Sequence, residues 1–253
     1  SFKLLVIFLI AAVILLIFIS RVRSVKAKAT IKQQLAELEA KAIRAQMNPH
    51  FIFNSLNAIQ ETIITEKVDA AYDYLSRFSK LLRMVLDNSE KNFISLNSEL
   101  ETIRLYLSLE ALRFSQSFTY SIELNEELDK EDIFIPSLLL QPFVENAIWH
   151  GLINKEGEKK LLLKFEEREG NLICIIQDNG IGRERAAEIK KNKLGAGRFE
   201  SKGTKLALQR IEIVNRERPG AADIETIDLF DEAGNASGTS VVVTLATDLK
   251  TNK

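Results

Sequence analysis

Pro136-Ser137-Leu138-Leu139-Leu140-Gln141-Pro142-Phe143-Val144-Glu145-Asn146-Ala147-Ile148-Trp149-His150-Gly151, followed further on by Leu172-Ile173-Cys174-Ile175-Ile176-Gln177-Asp178-Asn179-Gly180-Ile181-Gly182, decides how this chain is to be read. The first stretch reads as a helix, with Pro136 near its start and Gly151 past its end, where each residue is tolerated best. Glu145 and Asn146 interrupt its apolar run, and His150, four residues beyond Asn146, falls on the same helical face. The carboxamide oxygen of Asn146 suits a hard cation such as Mg2+, which takes water and phosphate oxygens as its other ligands. A capping or core hydrogen-bonding role would explain Asn146 equally well. The second stretch is an apolar strand that ends in a tight Asp-Asn-Gly turn. There the carboxylate of Asp178 can accept a hydrogen bond from an exocyclic amine, and Gly180 and Gly182 let backbone approach a flat base. An ordinary Asp-Asn-Gly turn accounts for the same residues.

Around these two stretches the second half alternates between strand and turn. Residues 118–124 and 160–166 alternate as half-buried strands, 224–229 and 240–245 read as closing strands, and Gly238-Thr239 marks the last turn. Helical periodicity resumes at Leu206 through Val214. Arg183 to Lys205 is rich in Lys and Arg, with glycines at 195, 197 and 203, and reads as a mobile basic flap. Such a flap could neutralise a triphosphate, or be no more than a solvated loop. Cys174 and Trp149 read as packing residues.

The first half has a different grammar. All 11 glycines lie at or after Gly151, and neither Gly nor Pro occurs from His50 to Ile135, so long helices are expected. Ile31, Leu35, Leu38, Ala42 and Ala45 follow the four-three spacing of a short coiled coil, which favours a parallel dimer. The rhythm returns in Ile52, Leu56, Ile59, Ile63, then in Leu75, Phe78, Leu82, Val85, and again in Leu96, Leu100, Ile103, Leu107. Helices joined near Thr65 to Asp69 form an antiparallel hairpin, and two hairpins from a homodimer would bury their seams in a four-helix bundle; a monomeric bundle is the alternative. Asn48-Pro49-His50-Phe51 breaks the pattern, because proline kinks or restarts a helix. His50 is thereby expected on an accessible turn, either as a functional group or as solvated surface.

From Leu4 to Ile19 the chain is an unbroken apolar run, close to the roughly 20 residues that a bilayer core requires. Arg21, Arg23, Lys26, Lys28 and Lys32 come after the run rather than before it, which argues for a transmembrane helix over a signal peptide and puts the chain beyond Arg21 in the cytoplasm. A buried core helix is the alternative. The sequence begins at Ser1 rather than Met, so more protein, such as a sensor, is expected before it. Lys plus Arg number 34 against 35 Asp plus Glu, so no global basic field points to nucleic acid. One cysteine excludes an internal disulfide framework and a cysteine-based zinc site, and two histidines speak against a histidine-rich metal centre.

In their order and spacing, Gln46-Met47-Asn48-Pro49-His50-Phe51-Ile52-Phe53-Asn54-Ser55-Leu56-Asn57, then Pro142 to Gly151, then Asp178-Asn179-Gly180-Ile181-Gly182 resemble the LytS/YehU-type sensor histidine kinases over residues 40 to 247. The resemblance implies a transmembrane helix (1–20), a coiled-coil linker (21–46), a dimeric helical hairpin region with a phosphoacceptor histidine (47–115), an ATP-binding α/β sandwich of the Bergerat (GHKL) type (116–247), and a tail (248–253). It implies His50 as phosphoacceptor, Asn146 as Mg2+ ligand and Asp178 as adenine contact, with Glu145 as the candidate base or orienting carboxylate. His150, Gly180, Gly182, Gly203, Thr204 and Lys205 would complete the ATP site. The implied partners are a second copy, a response-regulator receiver domain and the cytoplasmic (inner) membrane. One feature departs from the family: relatives carry a G-x-G-x-G stretch where this chain has Gly203-Thr204-Lys205-Leu206-Ala207-Leu208, so only the first glycine remains. Lys205 could supply charge there, or its side chain could obstruct the phosphates. An ATP-dependent conformational protein or ATPase without phosphohistidine, and a non-catalytic dimeric scaffold, are the alternative functions.

Overall fold

The computed structural model describes residues 2, 15–19, 21–23, 49–64, 68–114, 117–126, 128–193 and 202–249, with 49, 50, 68, 190–193 and 202 described as backbone only. Most of the apolar run of residues 4–19, all of the coiled-coil seam from Ile31 to Ala45, and residues 250–253 of the tail lie outside them. Among the described residues no helix is long and apolar enough to cross a membrane. The chain divides into two units, 1–56 and 57–253. In the first, residues 15–19 and 21–23 are helical, and Leu15 to Phe18 are exposed.

Helix α1 (Pro49–Ile64) begins on its proline, where the missing N–H costs nothing because a first-turn N–H has no partner within the helix. Helix α2 (Val68–Ser89) follows at the expected hairpin position. Its expected seam, Leu75, Phe78, Leu82 and Val85, is buried, while Tyr72 is exposed. Its C-terminal end is fastened by Asn88. The Asn88 side chain donates to Thr102 Oγ1 at 3.3 Å and accepts from Ser98 Oγ at 3.3 Å, and its backbone carbonyl accepts from Ser137 Oγ at 2.7 Å.

Strand β1 (Phe93–Ser95) leads straight into helix α3 (Leu96–Arg113), which Ser95 caps by accepting from the Ser98 N–H at 3.3 Å. The expected face of α3, Leu96, Leu100, Ile103 and Leu107, is buried, but so are Glu99, Thr102, Tyr106, Leu109 and Glu110. A helix buried on more than one side has neighbours on more than one side. Helix α3 packs on α2, and its leading strand β1 pairs antiparallel with β3 (Phe134–Pro136). It therefore ties α2 to the segment that leads into the first motif, where its periodicity had grouped it with the expected hairpin alone.

The main sheet has five strands in the order β2–β4–β5–β7–β6: β2 (Thr119–Leu124), β4 (Lys160–Arg168), β5 (Asn171–Asp178), β7 (Ala236–Ala246) and β6 (Ala222–Phe230). Only β2 and β4 are parallel, so the sheet is mixed. Burial alternates along β4 and β5, and the register sets Leu163 against Ile176 and Phe165 against Cys174, which in turn faces Val243. Cys174 is a core thiol: burial, then the nearby Glu99, pushes its pKa up.

Three elements differ from the sequence reading. The helix expected over 136–151 is a short α4 (Gln141–Asn146) that widens into a π-helical turn (Ala147–Leu152), closed by an Ile153 N–H to Ile148 carbonyl bond of 3.0 Å. Gly151 is thus inside the turn, not past its end. The flap begins as helix α5 (Arg183–Lys193), since Arg, Glu, Ala and Lys are good helix formers and no glycine intervenes before Gly195; residues 194–201 lie outside the described ones. Gly238 lies within β7 rather than in a turn, with φ of 146°. A Cβ there would meet the Asp178 carbonyl oxygen at 2.0 Å. The turn itself falls at Asp231 to Asn235, where Asp231 Oδ1 accepts from the N–H of Ala233 and Asn235.

Candidate active site

Asp178 ends β5 and is buried, with 4% of its surface exposed. The chain makes room for it with glycine: a Cβ on Gly151 or on Gly180 would come within 2.5 Å of Asp178 Oδ1. Oδ1 accepts from the Gly180 N–H at 2.7 Å, and the Thr239 N–H is a second backbone donor to the carboxylate. Burial raises its pKa to about 6, against the pull of these two donors and of Lys155. Asn179 shapes the turn: its side chain accepts from the Lys160 N–H at 2.8 Å and donates to the Glu158 carbonyl at 3.1 Å, and Lys155 Nζ donates to its carbonyl. Gly182 has φ of 75°, which favours glycine.

In front of Asp178 opens a cavity of about 440 Å³ between α4 with its π turn, the start of α5, the sheet, and helix α6 (Lys202–Glu217). Asn146, His150, Asp178, Gly182, Thr204 and Lys205 all line it, with Ile176, Val241, Phe143 and Leu208 as apolar walls. A site of this kind, apolar with a few convergent polar groups, suits a small-molecule ligand. Asn146 Nδ2 donates to Thr204 Oγ1 at 2.9 Å, which joins the first motif to the first turn of α6. Gly180 acts from behind, by its N–H on Asp178. Gly203 is already helical as the second residue of α6, so the remnant of the glycine-rich stretch is helix. The His50 side chain lies outside the described residues; its backbone is the second residue of α1.

Glu145 is not among the residues lining the cavity. Its carboxylate accepts from Gln141 Nε2 at 3.0 Å, and burial first, then the nearby Glu145, raises the pKa of Tyr106 and Glu110 on α3. Arg113 compensates there. It pairs with Glu110 at 2.5 Å and lies over the rings of Phe114 (4.1 Å) and Trp149 (4.2 Å). Burial nevertheless raises Glu110 to about 7. A second buried acid, Glu99, is likewise raised to about 7 by burial, although it accepts from the Leu140 N–H at 3.0 Å. Arg210 of α6 offsets its charge and donates to the Ser137 carbonyl.

Residues 38–118 match the family described as Histidine kinase. The sensor histidine kinase/phosphatase LytS of Staphylococcus aureus (strains Mu50, N315 and MW2) is 34% identical over 186 residues, which make up 73% of this chain and 31% of LytS. The chain is a relative of the LytS-type sensor histidine kinases. It spans about a third of the length of the curated relatives it matches. Similar solved structures are the histidine kinase domain of the Erythrobacter litoralis EL346 blue-light activated histidine kinase (15% identity, 87% of this chain and 93% of that one, TM-score 0.44) and the Acinetobacter baumannii histidine kinase AdeS (13%, 87% and 98%, TM-score 0.40).

Several cavity residues of this LytS relative escaped the sequence reading. Thr226 on β6, Thr239 on β7 and Arg183 at the start of α5 line the cavity, and Arg183 is clamped to Asp228 of β6 by two contacts of 2.6 Å. Strand pairing brings the two threonines there, and no local motif announces them, whereas Arg183 opens the basic stretch that the sequence marks as a flap. Gly151 and Gly238 did carry a signal: a glycine inside an apolar helix or strand marks a close backbone approach.

Proposed function

We propose that this chain is the kinase part of a membrane-anchored sensor histidine kinase, which binds Mg-ATP in a Bergerat-type C-terminal domain and phosphorylates His50. The phosphoryl group would then pass to an aspartate of a response-regulator receiver domain. One observation carries the reading: Asn146 and His150, Asp178, and Thr204 with Lys205, from three separate segments, line one cavity at the end of β5. Similarity to LytS, a sensor histidine kinase/phosphatase, supports it, as does the apolar run of residues 4–19 with the basic residues behind it. Phe53, Ile64 and Tyr72, exposed on the hairpin helices of a single chain, are surface that a second copy would cover in a homodimer.

The residues present fit the groups this activity needs. Asp178 offers a buried acceptor to an adenine amine, and the apolar walls take the base. Among the described residues no three His, Cys, Asp or Glu could hold a metal ion by themselves, so Mg2+ would rest on the Asn146 oxygen, water and phosphate oxygens. Bound there, Mg2+ neutralises phosphate charge. Lys205 adds a cation from α6. A neutral His50 imidazole presents a lone pair to the γ-phosphorus; the N–P bond forms as the bond to the bridging oxygen breaks, and ADP leaves with that electron pair. The protein contributes mostly position and charge to such a loose transition state.

The test is labelling with γ-labelled Mg-ATP. Acid-labile, base-stable label is expected on the unmutated chain, and His50→Gln should abolish it while retaining Mg-ATP binding. Full acid-labile labelling of His50→Gln would remove His50 from the reaction, and a chain that binds ATP but never labels would point instead to an ATPase or a scaffold.

A further inference from the structure

We infer that Thr204 is a positioning residue for the metal: its hydroxyl holds the Asn146 carboxamide so that the amide oxygen, and not the nitrogen, is offered to Mg2+. The inference rests on the proposed reading of Asn146 as a metal-holding residue and deepens it. A carboxamide has two unlike ends, one that donates and one that accepts, and only the oxygen can serve a hard cation. An unrestrained amide would present either end. Here Nδ2 donates to Thr204 Oγ1 at 2.9 Å, and Oδ1 is the end of the carboxamide that this bond does not use.

Both partners are held in place by their backbones. Asn146 is the last residue of α4, immediately before the π-helical turn, and Thr204 is the third residue of α6, whose own position is fixed further along. Arg210 reaches the Ser137 carbonyl, and the Asn215 side chain brackets Ala222, accepting from its N–H at 3.0 Å and donating to its carbonyl at 2.7 Å. The hydrogen bond therefore joins two anchored elements across one cavity, which both residues line. Serine keeps the hydroxyl at this position and valine keeps the shape without it.

ATP affinity of the full chain in detergent, measured by calorimetry with Mg2+ and in EDTA, reads the effect. Loss of one hydrogen bond predicts that Thr204→Val lowers the ratio of the two affinities about fivefold, and that Thr204→Ser restores it. In an Asn146→Ala background Thr204→Val should change the ratio no further, because its effect passes through the amide. Equal losses with and without Mg2+, or a further fivefold loss in the Asn146→Ala background, would overturn the inference: the first makes Thr204 a structural residue and the second a direct ligand. If the unmutated chain binds ATP equally well with and without Mg2+, the metal reading of Asn146 falls, and this inference with it.

Discussion

Replacing Asp178 by asparagine should stabilise the nucleotide-free protein at neutral pH while weakening its hold on ATP. The folded chain raises this acid from 3.8 to about 6, chiefly by burial. Between those values the folded state binds more protons than the unfolded one, so stability falls as pH rises through that window. At pH 7.5 the cost of keeping the carboxylate ionised in its buried place is roughly 3 kcal/mol. Asparagine removes that cost but remains a neutral acceptor for the Gly180 and Thr239 N–H groups, at a loss of about 1 kcal/mol per bond. The net expectation is a gain of about 1 kcal/mol at pH 7.5. At pH 5 the wild-type carboxyl is mostly protonated, and the advantage of the mutant should shrink by about 1.5 kcal/mol. Urea unfolding of both proteins at the two pH values isolates Asp178, because Glu99 and Glu110 titrate alike in each. ATP affinity should drop about tenfold or more in the mutant, since a charged acceptor contributes about 1.5 to 3 kcal/mol. A stability difference that does not move between pH 7.5 and 5 would refute the argument from burial, and an unchanged ATP affinity in the folded mutant would remove Asp178 from the site.

Gly180→Ala places a Cβ 2.4 Å from the Gly151 carbonyl carbon and 2.5 Å from Asp178 Oδ1; a stability loss of about 1 to 3 kcal/mol in urea unfolding, with loss of ATP binding by calorimetry, is expected. Glu99→Leu leaves the Leu140 N–H without its acceptor and takes the buried counter-charge from Arg210, and should cost about 3 to 5 kcal/mol at pH 8. Glu99→Gln, which keeps the acceptor and the shape but not the charge, should cost less, and equal losses in the two variants would show that the charge beside Arg210, rather than the hydrogen bond to Leu140, governs the position.

Much of the fold was legible because periodicity reports it directly. Leu75, Phe78, Leu82 and Val85 follow the helical repeat and are buried, and the alternation in 160–166 and the apolar run of 172–177 became β4 and β5. Short pairings were not legible. Phe93–Ser95 and Phe134–Pro136 are three-residue strands whose partnership spans some forty residues of chain, and three residues are too few to show alternation. The π-helical turn was hidden for another reason: it serves the approach of Gly151 to Asp178, a demand made by a strand more than twenty residues away. Of the residues that line the cavity, Asn146, His150, Asp178, Gly182, Thr204 and Lys205 were named from motifs, whereas Thr226 and Thr239, which strand pairing delivers, were not. Glu145 shows the limit of spacing as a guide, since its neighbour Asn146 lines the cavity while its own carboxylate is engaged by Gln141 near α3.

The departure at Gly203 gains a physical meaning from the helix that contains it. Where several glycines lie together, backbone is free to fold around phosphates and its amides do the binding. Here Lys202, Gly203 and Thr204 already have helical backbone, so α6 begins rigidly and little freedom is left for a wrapping loop. What remains at its start is a first turn whose N–H groups have no partner within the helix, a threonine hydroxyl bound to Asn146, and the Lys205 side chain on the cavity wall. The exchange is from adaptable backbone to fixed side chains. On the proposed reading it favours a phosphate site whose geometry is set before ligand arrives, which lowers the ordering cost of binding but makes the site depend on where α6 sits. That placement is itself secured by Arg210 on Ser137, by Asn215 on Ala222 and by Glu99 beside Arg210. The buried acid on α3, raised towards neutrality and far from any motif, thereby bears on the same cavity as the residues that sequence alone picks out.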